Sequence, residues 1–243
     1  MFFSRRPHTL RLTPALDSVV WPGSVLSPRT LSRAASSRRK QALDIALAGS
    51  LLVVTSPVWL TLAVAIKATT RGPVLFRQQR LGMNEVPFTV LKFRSMHHGA
   101  PESAHELFVT AMISALPTTS TTSGAIHKLQ DDPRITRVGR WIRRTSLDEL
   151  PQLINVLRGE MSIIGPRPPL AYEVAKYEPW QRERLAVRPG ITGLWQVSGR
   201  NRLTYAEMCR IDLRYVRNWS FLMDLRIILR TPWAMFVERG GAS

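Results

Sequence analysis

Cysteine is nearly absent from this chain. Cys209 is the only one in 243 residues, so no disulfide forms within it, and its helical, mixed charged and apolar surroundings mark a small buried side chain rather than a nucleophile. Acids are scarce as well: 17 Asp and Glu stand against 34 Lys and Arg, a net charge of +17 that calls for nucleic acid, anionic lipid or a phosphorylated small molecule. Zinc-finger spacing, an RNA-binding signature and a basic coiled-coil region are all missing, which argues against nucleic acid. His97, His98 and His105 lie close in sequence but fit no zinc pattern. Long apolar runs are missing too, with one exception.

The exception is Ala42 to Ile66, where only Asp44 is charged. As helix it reaches about 37 Å at ~1.5 Å per residue, more than a hydrocarbon core of ~30 Å, and is read as a membrane segment. Ser56-Pro57 falls midway, where proline removes a hydrogen bond and bends a helix. Arg38, Arg39 and Lys40 precede the segment, and Lys67, Arg71 and Arg77 follow it. Positive residues mark the cytoplasmic side, so two positive flanks predict a bent, re-entrant hairpin with both ends in the cytoplasm; a kinked spanning anchor is the alternative. The apolar run begins too far from Met1 for a cleaved signal peptide. The expected organisation is a basic, disordered arm over residues 1–40 that lies on anionic lipid, a membrane helix broken at Ser56-Pro57 over 41–67, and a catalytic domain over 68–243.

Two β-rich runs around Gly82, Asn84 and Glu85 predict a hairpin, with Lys92 and Arg94 at the end of its second strand. Pro117 to Gly124 is loop. Tyr172 to Val187 reads as a charge-laced helix ended by Arg188-Pro189-Gly190, followed by a short strand over Leu194 to Val197. Gly193, Gly199 and Arg200 surround that strand, and glycines with arginine suit either a tight turn or a phosphate loop. Tyr205 to Val237 predicts two helices around Trp219 and Ser220. The second is too often interrupted to span, and its Trp and Phe residues suit an interfacial helix or a core helix equally.

Chemistry concentrates in Arg143 to Pro168. Asp148 and Glu149 precede Leu150, Leu153, Ile154 and Leu157, spaced as one helix face, so the acids are expected at that helix's N-terminus with Ser146 or Asp148 as cap. Ser146-x-x-Glu149 is also an ordinary capping box. Arginines flank the pair: Arg143 and Arg144 before it, Arg158 and Arg167 after it, the last held in the rigid turn Gly165-Pro166-Arg167-Pro168. Carboxylates with guanidinium groups suit phosphate chemistry.

KFRSM (Lys92 to Met96), DPRITRVGRWIRRTSLDELPQLINVLRGEMSIIGPRP (Asp132 to Pro168) and RPGITGLWQVSGR (Arg188 to Arg200) resemble the bacterial sugar transferases, the monotopic phosphoglycosyl transferases. The resemblance runs from about Arg38 to about Val237. It implies a mixed, helix-rich α/β domain on the bacterial inner membrane, facing the cytoplasm, with a re-entrant helix, a small β-hairpin and amphipathic interfacial helices. It also implies transfer of a sugar-1-phosphate from a UDP-sugar to polyprenyl (undecaprenyl) phosphate, with release of UMP, as a first membrane step in exopolysaccharide or other surface glycan synthesis. Asp148 would be the nucleophile and Glu149 a ligand of Mg2+, a division of labour in keeping with adjacent helical side chains pointing ~100° apart. Lys92, Arg143, Arg167 and Arg200 would contact phosphate or nucleotide, and Asp212 and Tyr215 would lie near the site. A homo-oligomer is compatible with this reading. Two other classes share parts of the pattern: a membrane-attached, magnesium-dependent phosphatase or phosphotransferase, and a non-enzymatic basic scaffold.

Overall fold

A computed structural model describes residues 37–99, 132–199 and 203–236. The basic arm before Ser37, His105, the loop from Pro117 to Gly124, Arg200 and the residues after Phe236 lie outside the described residues.

The apolar segment forms helix α1 (Arg38–Thr69), capped by the Ser37 hydroxyl, which accepts from the Lys40 amide. Lys40, Asp44, Ala48, Leu52, Thr55, Trp59, Leu62 and Ile66 recur every three or four residues as its covered stripe. Ala48 packs with Phe88, Val90, Leu153 and Val156, while Leu62 and Ile66 pack with Phe93 and Ile142. Both halves of α1 therefore rest on the same body. The opposite face is open and apolar, with Val53 and Val54 each 74% exposed, more than water tolerates on a continuous helix face. Among the described residues α1 alone is long and apolar enough to cross a membrane.

Helical structure runs through Ser56-Pro57 without a gap, where a break was expected. Pro57 has no N–H to give the carbonyl of Val53, and the Ser56 hydroxyl donates to that carbonyl instead, at 2.8 Å. Thr55 and Thr61 likewise return their hydroxyls to backbone carbonyls one turn earlier. These hydroxyls along α1 are thus met within the helix.

The predicted hairpin is present: β1 (Leu75–Leu81) pairs antiparallel with β2 (Pro87–Phe93), with Phe76 opposite Lys92 and Arg80 opposite Phe88. Asn84 and Glu85 take positive φ in the connecting turn. Helix α2 (Arg137–Thr145) packs on the end of β2 so closely that a Cβ on Gly139 would lie 1.9 Å from the Ser95 carbonyl oxygen. Helix α3 (Gln152–Leu157) is fixed to β2 by Asn155, which donates to the Thr89 carbonyl and accepts from the Leu91 amide. Strand β3 (Ser162–Ile164) follows it.

Three sequence expectations need correction. Tyr172 to Val187 is not one helix but α4 (Ala171–Val174), α5 (Pro179–Arg182) and a 3-10 turn (Glu183–Ala186), because Pro179 opens a new helix instead of continuing one. The short strand is β4 (Gly190–Thr192), parallel to β3, and Trp195–Val197 is a 3-10 turn. The acids do not sit in the first turn of α3, as described below.

Helices α6 (Tyr205–Asn218) and α7 (Phe221–Phe236) close the fold as expected, α6 opening with a capping box between Thr204 and Glu207. Helix α7 buries Asp224, Ile227 and Ala234 and exposes Leu222, Leu225, Leu229 and Trp233, so it is neither a core helix nor polar outside. Lys40 pairs with Asp224 at 2.8 Å, joining the start of α1 to the start of α7. Cys209 is fully buried, and burial pushes its thiol up to about 11, which removes it as a nucleophile.

Candidate active site

The acidic pair is placed by a reversal of the backbone. Ser146 ends α2 in the left-handed region, φ 58°, and the chain makes a 3-10 turn, Leu147–Glu149, before Pro151 starts α3. Leu147 and Leu150 pack toward Phe93 and Ile142, which leaves Asp148 and Glu149 half-exposed on the turn between them. Ser146 makes no side-chain cap here; its carbonyl accepts from the Glu149 amide. The capping-box reading therefore fails. So does the helix N-terminus as an anion site, since the acids precede α3 and that helix is only six residues long. Pro151 explains the difference, because it fits a helix only at its start.

The turn carrying Arg167 is held by its backbone. Gly165 and Gly190 meet where no side chain fits: a Cβ on Gly190 would lie 2.0 Å from the Gly165 nitrogen. Beyond it, three successive carbonyls are each met by a donor from elsewhere. Arg184 donates to Arg167 at 3.2 Å, Arg80 to Pro168 at 2.6 Å, and the Leu81 amide to Pro169 at 3.0 Å. The Arg167 guanidinium faces the fully buried Glu173, 3.6 Å away. Rigidity expected from the prolines alone thus comes equally from two buried arginines.

An open cleft of ≈330 Å³ lies between these parts, lined by Arg80, Val90, Lys92, Glu149, Gln152, Arg167, Pro168, Gly190, Ile191 and Gln196. Lys92, Glu149 and Arg167, all expected site residues, converge there from β2, the acidic turn and the proline turn. Lys92 Nζ is 3.2 Å from Glu149 Oε1. Burial and the neighbouring Arg167 pull Arg80 down to about 10, so it stays charged at neutral pH. Three cations around one carboxylate attract an anion of more than one charge, and phosphate esters match.

The other expected residues fall elsewhere. Asp148 is half-buried beside Glu149 and does not itself line the cleft. Arg143, in the last turn of α2, helps hold the Asp132 carboxyl low, after the larger effect of the hydrogen bond from Arg134. Asp212 is buried in an ion pair with Arg184, and burial pushes its carboxyl up to about 6 against that pull. Arg184 also holds the Arg167 carbonyl, and Asp212 feels the charge of Arg167 as well, so Asp212 acts on the site without lining the cleft. The buried Tyr215 hydroxyl donates toward the Ile164 carbonyl and the Asp224 carboxylate and does not line this cleft. Arg200 lies outside the described residues.

Arg80, Gln152 and Gln196 were missed in the sequence. Arg80 was findable: period-two alternation across a hairpin places it on the face that carries Lys92. No sequence signal marks the two glutamines. Among the described residues no group of three or more His, Cys, Asp or Glu could cage a metal. Asp148 and Glu149 supply hard oxygen ligands beside a phosphate-sized cleft, which suits Mg2+, an ion bound by one or two carboxylates plus substrate oxygens and water.

Residues 35–238 match the family described as Bacterial sugar transferase, and the chain belongs to that family. The Exopolysaccharide production protein ExoY of Sinorhizobium fredii is 41% identical over 201 residues, covering 83% of this chain and 87% of that protein. The Undecaprenyl-phosphate galactose phosphotransferase of Salmonella typhimurium is 39% identical over 212 residues, 87% of this chain and 43% of its own length. The UDP-glucose:undecaprenyl-phosphate glucose-1-phosphate transferase of Escherichia coli is 40% identical over 211 residues, 82% and 40% respectively. The chain thus spans most of the first relative and less than half of the other two. Family membership makes the protein an enzyme and sets the scaffold reading aside.

Proposed function

We propose that the protein transfers a hexose-1-phosphate from a UDP-sugar to undecaprenyl phosphate. The observation that carries this reading is the convergence of Arg80, Lys92 and Arg167 with Glu149 on one cleft, next to Asp148 on the same turn. A relative named for galactose and another named for glucose support a hexose donor.

The chemistry follows in two displacements. A carboxylate oxygen of Asp148 attacks the sugar-bearing phosphorus, forming an acyl phosphate, while the bond from that phosphorus to the bridging oxygen breaks and UMP leaves with the electron pair. A phosphate oxygen of the lipid then attacks the same phosphorus and the Asp148 carboxylate departs, giving the polyprenyl diphosphosugar. Arg80, Lys92 and Arg167 hold the diphosphate and meet the charge that grows on the leaving phosphate. Lys92, free to move on its flexible stem, exchanges Glu149 for substrate oxygens as they enter. Glu149, with Asp148 beside it, would hold Mg2+, whose contribution is to polarise the phosphoryl oxygens.

The open apolar faces of α1 and α7 enter the lipid, on the cytoplasmic side of the inner membrane. Lys40 at one end of α1 and Arg94 at the other, which donates to the Thr70 carbonyl and hydroxyl, both tie it to the catalytic body. Attachment of both ends to one body supports placing them on the same side of the bilayer, with α1 dipping into the lipid by its open face. The test is UMP release across a panel of UDP-sugars with and without undecaprenyl phosphate. UMP formed in less than stoichiometric amount without acceptor, and catalytically with it, supports a covalent intermediate. Free sugar phosphate formed without acceptor would make the protein a phosphatase instead.

A further inference from the structure

Gln152, the first residue of α3, is only 3% exposed, and what remains open lines the active-site cleft beside Glu149 and Lys92. No side-chain hydrogen bond ties its amide to another of the described residues, and its polar atoms are reached from the cleft rather than sealed away. A primary amide carries two donors and an acceptor, and here only the contents of the cleft are left to meet them. Asn155, one turn later on the same helix, shows what the fold does with an amide it uses internally. It is fully buried, donates to the Thr89 carbonyl at 2.7 Å and to Glu160 at 2.6 Å, and accepts from the Leu91 amide at 3.1 Å. Gln152 has the same chemistry and none of these partners.

We infer that Gln152 is a further substrate-contacting residue, whose amide N–H donates to a phosphoryl oxygen held in the cleft. This rests on the reading that the cleft takes phosphorylated substrates. Arg80, Lys92 and Arg167 make the occupant anionic, and phosphoryl oxygens only accept. Gln152 adds a neutral donor to the lining of that cleft. Its amide oxygen remains for water or the Lys92 ammonium once Glu149 releases it. A buried donor on a short helix fixed to β2 by Asn155 is pre-positioned, which is what stabilising a developing phosphoryl charge requires. The oxygen can belong to the diphosphate of the donor or to the phosphate of the lipid, and separate half-reactions tell these apart.

The test compares Gln152→Leu, which keeps the packing volume and removes the amide, with Gln152→Glu, which keeps the shape but replaces the donor by a charge. Gln152→Leu is expected to melt in detergent at or above the wild-type temperature while kcat/KM for the UDP-sugar falls by about 10- to 100-fold, the size of one hydrogen bond to a charged group. Gln152→Glu should fall further. A slowed UMP burst without acceptor assigns the contact to the donor; a normal burst with slow discharge to undecaprenyl phosphate assigns it to the lipid phosphate. Calorimetric titration with inorganic pyrophosphate reads the same contact without turnover and should weaken in Gln152→Leu. Turnover and pyrophosphate binding within twofold of wild type would overturn the inference, as would activity lost only in step with melting temperature. If wild type releases no UMP from any UDP-sugar, the transferase reading fails separately, and the pyrophosphate titration still decides Gln152.

Discussion

The Ser56 hydroxyl donates to the Val53 carbonyl at 2.8 Å, the acceptor that Pro57 deprives of its usual backbone donor. With Pro57 in place, Ser56→Ala should destabilise the protein by about 1–3 kcal/mol in detergent, the cost of an acceptor left unmet in an apolar medium, and far less on a Pro57→Leu background where the backbone N–H is restored. Unfolding in detergent of the four combinations measures the coupling. Equal losses in both backgrounds would show that the two residues act independently.

Helix α1 should have both ends on one side of the membrane. Single cysteines at positions 37 and 70 should both stay unlabelled by an impermeant reagent in sealed cells and both react once the membrane is opened. Cys209 does not interfere, being fully buried. Labelling of position 37 alone from outside would establish an ordinary spanning helix.

Asp148→Asn should abolish UMP release, because an amide cannot form the acyl phosphate, while leaving UDP-sugar binding nearly intact. Glu149→Gln should move the magnesium titration to higher concentration and slow turnover without abolishing it. An unchanged titration would reduce Glu149 to a partner of Lys92.

The Arg184–Asp212 pair is expected to separate stability from function. Asp212→Leu alone leaves a buried guanidinium uncompensated and should cost about 3–5 kcal/mol. Adding Arg184→Met should recover most of that, since an apolar pair of similar volume suits the core. The double variant should nevertheless show a raised KM for the UDP-sugar, because removing Arg184 takes the donor from the Arg167 carbonyl. A double variant with wild-type KM would show that the turn holds Arg167 unaided.

The sequence by itself determined much of what depends on neighbours along the chain, though not the breaks at Pro151 and Pro179 or the position of β4. The hairpin around Asn84, the long apolar helix α1, the division of the C-terminal segment at Trp219 and the clustering of acids with arginines near Gly165 all follow from local periodicity and backbone stiffness. It also carried the family, through three long ordered motifs. Tertiary structure decided which of those residues meet. Asp212 and Tyr215 stand near the motifs in sequence, yet burial beside Arg184 and Asp224 turns both inward, away from the cleft. Arg80 and Gln152 carry no local mark, because their significance lies in what surrounds them: one needs the Pro168 carbonyl from 88 residues away, the other a cleft that leaves its amide unmet. Such pairings are set by how β1, the acidic turn and the β3–β4 pair pack together, and packing across long stretches of chain leaves no period in the sequence.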